Sequence, residues 1–346
     1  MSVFIQSAHQ ISVQQPFSDE WFEHPVFHSE NRVRSQDPDF KQYLSPLLSR
    51  RMCNLLKRAV VLSKRTLKDA DIEMPDAIIS GTGLGCIENT EKFLLSISEN
   101  HEQFLQPTYF MQSTHNILSS TIAIELKCHG YNNTFVHRGV SFENALLDAL
   151  LQFKNNRVNN LLLGSYEELT DNYYTFFGRL GLWDFRPKND AKNCFASEAA
   201  VSMALTNEKN IHSLCEIKAV KLLYRPTMDR IQQSVNEILE KAACKLSDID
   251  AVMVGINTVP SNDCIYNDFI NSILEDTPVM RYKHIFGESL SSSALSVYVA
   301  AKCLTNHKIP DFLLNNREKE INGVKNILLY NHFQNKSHSL ILLSSC

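Results

Sequence analysis

Thr134-Phe135-Val136-His137-Arg138-Gly139-Val140-Ser141-Phe142-Glu143-Asn144-Ala145-Leu146-Leu147-Asp148-Ala149-Leu150-Leu151-Gln152-Phe153 is the stretch that decides the fold. It reads as a short strand, a tight elbow and an amphipathic helix. Phe142, Ala145, Leu146, Ala149, Leu150 and Phe153 recur at i, i+3, i+4, i+7, i+8 and i+11, one apolar stripe at helical period. A strand that turns sharply into a helix is a common place for a nucleophile. The helix start offers unpaired N–H groups and the positive end of the dipole, which stabilise a thiolate or an oxyanion. Here the elbow carries Gly139, which has no side chain to attack with.

The rest of the chain sets the bounds. At 346 residues it can form one large α/β domain or two fused halves around a sizeable core. Apolar residues make up 44% and charged residues 21%, and the formal net charge of −4 argues against a surface that coats nucleic acid. The nine cysteines are scattered singly with no Cys-x-x-Cys pair, a pattern that suits buried thiols in a reducing, cytoplasmic setting. No stretch nears the ~18 apolar residues that span a bilayer. Residues 1–10 lack the basic-then-apolar pattern of a leader, so no membrane insertion is expected.

Working outward from the elbow, β-rich runs alternate with helical patterns. The runs are 3–11, 76–81, 133–137, 160–164 and 199–204, with helices over 48–70, 89–98, 117–126 and 142–154. The style then repeats, with strands at 215–224, 251–256, 279–282, 326–330 and 339–343 and helices at 228–246, 264–274 and 291–304. Such alternation predicts packed α/β units with buried sheets. Two series predict a duplicated α/β fold, with halves 1–207 and 208–346 forming one compact unit. Residues 17–40, polar and aromatic with two prolines, read as an irregular surface excursion.

Several motifs, in order, carry a resemblance to the β-ketoacyl synthase family of the thiolase fold over nearly the whole chain. Gly81-Thr82-Gly83-Leu84-Gly85 with Thr90-Glu91-Lys92-Phe93 looks like the family's first glycine-rich turn and following helix. Ser113 to Ile124 with Gly130 looks like the segment leading to the nucleophile strand. Leu162-Leu163-Gly164-Ser165-Tyr166-Glu167-Glu168 is similar to the strand after the nucleophile helix. Phe195-Ala196-Ser197-Glu198-Ala199-Ala200 resembles the element around the family's buried Glu. The resemblance implies two duplicated α/β halves with buried mixed sheets in a layered α-β-α-β-α arrangement. It is closest to a subgroup linked to aryl polyene and flexirubin-type pigment synthesis.

In the family a Cys at the elbow takes the acyl chain, and two His residues stabilise the enolate formed by decarboxylation. By this resemblance the Cys position falls at Gly139. The first His position is Gly255, in Gly255-Ile256-Asn257-Thr258-Val259-Pro260, and the second is Glu288, five residues after Lys283. The Phe-Gly-Gly turn becomes Phe333-Gln334-Asn335. A carboxylate at 288 also opposes an enolate by like-charge repulsion. No catalytic residue, cofactor or metal is therefore expected. The decarboxylase-only version of the family keeps both His residues behind an elbow Gln, so it fits no better.

What the resemblance implies instead is a non-catalytic subunit, a chain length factor. It would pair as a heterodimer with an active synthase and meet acyl carrier protein through that complex. Tyr109, Phe110, Met111, His115 and Asn116 lie in the segment that crosses the interface in similar proteins, and the first three are candidate tunnel-facing groups. Plain packing is the alternative for each, since apolar residues are interior by default. Arg50, Arg51, Lys57 and Arg58 begin a basic run, continued by Lys64, Arg65 and Lys68, that reads as a docking face or as a solvated helix surface. Glu198, Lys283 and Phe333 keep the family pattern and read as scaffold, the two charges bracing buried loops. A competing reading is an enzyme with relocated chemistry at His137, His284 or His332. Ser141 reads as the N-cap of the helix rather than a hydrolase nucleophile. His24 and His28 lack a third metal ligand, and Gly81 to Gly85 serves close packing rather than phosphate binding.

Overall fold

The computed structural model describes residues 2–183, 193–274, 276–315 and 319–346. The chain runs first through β1 (Phe4–Ile11), α1 (Pro46–Ser49), α2 (Asn54–Asp69), β2 (Ala77–Gly81), α3 (Ile87–Glu99), α4 (Pro107–Ser113) and α5 (Ile117–Leu126). β3 (Tyr131–Phe135), α6 (Ser141–Lys154), β4 (Asn160–Glu167), α7 (Asp171–Arg179) and β5 (Ala199–Thr206) follow. Next come β6 (Cys215–Tyr224), α8 (Met228–Lys241), β7 (Ala251–Val254), α9 (Pro260–Ile273), β8 (Val279–Arg281), α10 (Lys283–Phe286) and α11 (Ser292–Thr305). The short β9 (Lys308–Ile309) and β10 (Ile321–Asn322) pair with each other before β11 (Asn326–Phe333) and β12 (Ser337–Ser344) close the chain.

Among the described residues ten strands make one mixed sheet in the order β3-β2-β4-β5-β1-β6-β12-β11-β7-β8. Read outward from its centre, β1-β5-β4-β2-β3 and β6-β12-β11-β7-β8 are the same motif, two antiparallel pairings followed by two parallel ones. β1 and β6 join the two through Phe4 opposite Glu216 and Ile5 opposite Cys215. α6 and α11 lie between the two half-sheets and touch both. α2 and α5 cover the outer face of the first half-sheet, and α8 and α9 that of the second. This is the layered α-β-α-β-α thiolase-like arrangement.

Alternation along single strands produces the layers. On β4, Leu161 and Leu163 face α6 while Leu162 and Tyr166 face α2. On β12, Ile341 and Leu343 face the middle layer while Leu340 and Leu342 face α8. With both faces covered, these strands read as unbroken apolar runs. The stripe of α6 is buried through Phe142, Ala145, Leu146, Ala149 and Phe153, with Leu150 half-buried at its margin.

Three local readings change. The helix expected over 48–70 is two, because Ser45 caps α1 and the chain turns at Met52–Cys53 before α2 begins. α7 escaped the sequence reading, although Thr170 caps it by accepting the N–H of Tyr173. The excursion at 17–40 is irregular but anchored. Trp21 is buried in the middle layer and donates its Nε1–H to Tyr298 Oη at 2.9 Å, and Gln14 just before it donates to the carbonyl of Ile285. One large aromatic in a polar segment is enough to tie it to the core.

Candidate functional site

β3 ends at Phe135 and the chain turns through Arg138, held at φ +54°, into α6. Ser141 closes this elbow rather than capping the helix. Its hydroxyl donates to the carbonyl of Arg138 at 2.7 Å and accepts the N–H of His137 at 2.8 Å, and Val140 takes the N-cap position. The hydroxyl is thereby used up by backbone.

The three positions that the resemblance assigns to catalytic side chains, Gly139, Gly255 and Glu288, each meet other groups. A Cβ at Gly139 would lie 2.9 Å from Phe333 Cγ and 3.2 Å from Phe333 Cβ, so the ring of Phe333 occupies the space that a side chain at 139 would need. A Cβ at Gly255 would lie 2.6 Å from Asn331 Oδ1 and 3.1 Å from Lys283 Nζ, with the hydroxyl of Tyr266 as close. Glu288 pairs with the buried Lys283 at 2.6 Å and accepts from Asn257 Nδ2 and Ser292 Oγ, each at 2.9 Å. Burial alone would make the Lys283 ammonium give up its proton, but the Glu288 carboxylate outweighs it and holds the pKa well above the ordinary value. The cation is thus neutralised within the pocket.

The cavity left between these groups is about 50 Å³. That is room for a few waters, not an acyl chain. Leu84, Leu169, Phe177, Leu182, Trp183 and Leu290 form its apolar wall. No cysteine lines it among the described residues.

The surrounding carboxylates are structural. Glu167 accepts the N–H groups of Gly83 at 2.6 Å and Leu84 at 3.0 Å, and full burial raises its pKa to about 8. The glycine-rich turn thus spends its amides on Glu167. Its Gly81 packs so closely on α6 that a Cβ would sit 2.6 Å from the backbone of Ser141. Glu198 and Lys283 do not brace each other. Burial pushes the Glu198 pKa up, but Arg58 at 3.0 Å outweighs it and keeps the carboxyl below its usual range, while Lys283 belongs to the Glu288 pair.

Arg58 is buried between Asp37 and Glu198, and so is removed from any docking face. The spacing of basic residues along α2 concealed this, because its partners lie 21 and 140 residues away. Lys57 stays at the surface over Phe40, and Arg50 and Arg51 line a cleft beside α4. Tyr109, Phe110 and Met111 lie on α4 and line none of the pocket around Gly139. Phe110 and Met111 are each 57% exposed, and His115 and Asn116 are exposed beside them.

The three candidate histidines do not converge. His332 reaches the pocket, but Nδ1 accepts the N–H of Asn335 at 3.2 Å and Nε2 lies 3.0 Å from the carbonyl of Asn262. Burial lowers its pKa to about 4, so it is a neutral, fully bonded ring tilted against Tyr266. His284 contacts the carbonyl of Phe312 outside the pocket, and His137 is exposed at the elbow. Sequence reasoning missed Tyr266 and Asn331, which close the Gly255 position, since no local pattern links them to it.

Solved structures share this architecture along the whole chain. "The ishigamide ketosynthase/chain length factor" superposes with a TM-score of 0.83 at 16% identity, covering 100% of this chain and 99% of that one. A β-ketoacyl synthase from Burkholderia phymatum STM815 gives 0.81 at 14% identity, with the same 100% and 99% coverage. A type II polyketide synthase acyl-carrier protein in complex with its ketosynthase bound to the hexaketide (AntDE:AntF) gives 0.81 at 13% identity, again covering 100% and 99%. No curated protein matches the chain by sequence. Residues 19–247 match the family described as "Beta-ketoacyl synthase, N-terminal domain", well over half of the chain. With that match, the chain belongs to the β-ketoacyl synthase family.

Proposed function

We propose that this chain is a non-catalytic ketosynthase-like subunit, a chain length factor, that pairs with an active β-ketoacyl carrier-protein synthase and shapes its acyl or polyene tunnel. The observation that carries the reading is the ring of Phe333 in the space a nucleophile at Gly139 would need. A fold kept whole around a filled site has its surface left to work with. That surface supports pairing: β3 is an edge strand of the sheet, and Leu94, Leu95, Phe110 and Met111 are exposed on α3 and α4. A growing chain gains about 0.8 kcal/mol per buried CH₂, so side chains lent by a partner decide where the tunnel ends. Acyl carrier protein reaches this subunit through the complex, in the cytoplasm, and the pathway we favour makes aryl polyene or flexirubin-type pigments. The chain acts as two ketosynthase-like halves, 1–207 and 208–346, in one unit.

Co-expression with a catalytic synthase, then intact mass after adding acyl-loaded carrier protein, tests this. Acyl on the partner's cysteine alone, in a stable 1:1 complex, is the expected result. Acyl on this chain, or turnover by it without a partner, overturns the reading.

A further inference from the structure

A cleft of about 510 Å³ opens where the starts of α2, α3 and α7 meet the excursion at 34–37, and six carboxylates line it. Four of them have a cationic partner. Arg58 holds Asp37 and Glu198, Arg32 holds Asp171, and Lys92 holds Glu88 at 2.6 Å. The other two, Glu91 and Glu168, pair with no cation among the described residues. Glu91 of α3 accepts the hydroxyl of Thr170 at 2.6 Å. Glu168, between β4 and α7, accepts the N–H of Glu88 with Oε1 at 2.9 Å.

Glu168 is 4% exposed and stands in the wall that this cleft shares with the cavity at Gly139. The start of α3 offers a partial positive charge to one of its oxygens. Oε2 has no hydrogen-bond partner among the described residues. A carboxylate buried without a counter-charge is costly, and burial raises the pKa of Glu168 well above its ordinary value. No group of three or more His, Cys, Asp or Glu among the described residues is placed to hold a metal ion. The group that completes the cleft is therefore an organic cation with several N–H donors, and the volume suits a small molecule.

We propose that this cleft binds an organic dication, with one ammonium or guanidinium group on Glu168 and the second on Glu91. Asn54 and Asn172, which line the same cleft, supply neutral acceptors for the remaining N–H donors. The same chemistry comes from a free polyamine or from basic side chains of a bound protein. Either source displaces the proton that burial keeps on Glu168, so binding releases protons.

Calorimetric titration of the purified chain with spermidine, in two buffers of different ionisation heat at equal ionic strength, tests the site. Saturable one-to-one binding is expected, with a heat that depends on the buffer as proton release requires. Glu168→Gln keeps an oxygen for the N–H of Glu88. It should weaken binding by about tenfold or more and remove the buffer dependence. Glu91→Gln should weaken binding and leave the buffer dependence in place. Glu99→Gln, an exposed change at the far end of α3, should alter neither. Absence of saturable binding, indifference to Glu168→Gln, or equal weakening by Glu99→Gln overturns the proposal. The last result would mean general attraction to an acidic surface. Adding the synthase separates the sources. Exclusion of spermidine by the synthase, with weaker pairing in Glu168→Gln, identifies the cation as the partner's side chains. Undisturbed spermidine binding in the complex identifies a free polyamine. A chain that binds spermidine and no synthase counts against the pairing reading alone.

Discussion

Around Gly139 the side chains have closed ranks, whereas along α4 apolar groups stand in the open. Phe333, Tyr266, Asn331 and the Lys283–Glu288 pair fill the one region to a residual cavity of about 50 Å³. In the other, Phe110 and Met111 keep 57% of their surface exposed, with the ring of Phe93 tilted against Phe110 at 5.3 Å. The difference teaches where this molecule is committed. Substitutions in the first region should act on stability, because close packing and buried charge leave nothing to absorb a change. Substitutions in the second should leave stability alone and act on whatever covers the face.

The largest effect is expected at Glu288. Glu288→Gln leaves the Lys283 ammonium buried without its counter-charge and should cost ~3–5 kcal/mol in urea unfolding. Adding Lys283→Met should recover much of that loss. The sign with pH is fixed by the raised Lys283 pKa. A group held above its unfolded value of 10.5 contributes stability fully below that pH and loses it as pH climbs through the folded value. In Glu288→Gln the main opposition to burial is gone, the folded pKa falls, and the loss of stability toward alkaline pH should shrink or reverse. A loss under about 1 kcal/mol would show that the pair is solvated, and the contrast between the regions would weaken.

Next comes the elbow. Gly139→Ala drives a methyl group into Phe333 and should cost ~1–3 kcal/mol. Phe333→Ala removes the obstruction at the price of a cavity. The double variant should be more stable than the sum of the single losses by at least ~1 kcal/mol. Strict additivity would mean that Phe333 moves aside freely, and that the nucleophile's space is open after all.

Much of this was legible in the chain, and the reasons are local. The stripe from Phe142 to Phe153 fixed α6 as a buried helix, and the apolar runs of β4 and β12 marked strands covered on both faces. The two series of strands repeat because the two half-sheets repeat. At the candidate site the resemblance pointed only to Gly139, Gly255 and Glu288 as departures from the family pattern. The side chains that crowd Gly139 and Gly255 come from β11 and α9, on other elements, and no periodicity reports such a contact. Arg58 shows the same limit. Its place in a basic run suggests a surface, yet Asp37 and Glu198 draw it inside.

A smaller, pH-linked effect should appear at Glu167. Its folded pKa of about 8 lies above the ordinary 4.5, so its contribution is complete below pH 4.5 and fades as pH rises toward 8. Glu143, held between Ser293 and Ser339 and raised by burial to about 7, adds a decline of the same sign. Glu167→Gln should flatten the fall in unfolding midpoint between pH 5 and 8, leaving the part due to Glu143 and to Glu168, whose pKa burial also raises. An unchanged slope would place the titration elsewhere.

The smallest effect on stability should come from the open face, and it sharpens the comparison most. Phe110→Ala and Met111→Ala remove side chains that are more than half exposed, so each should shift unfolding by no more than ~0.5 kcal/mol. The same changes should cost ~2 kcal/mol each in affinity for a catalytic synthase if α4 forms the centre of the interface. They should also change the length of the product made by the complex. Titration of the partner and product analysis read the two effects separately. Unaltered affinity together with unaltered product length would leave α4 as an ordinary surface and move the search to the edge of β3. Glu288→Gln, where it remains folded, should do the reverse and bind the partner as the unsubstituted chain does. That opposition, stability in one region and recognition in the other, is what a subunit with a filled site and a working surface requires.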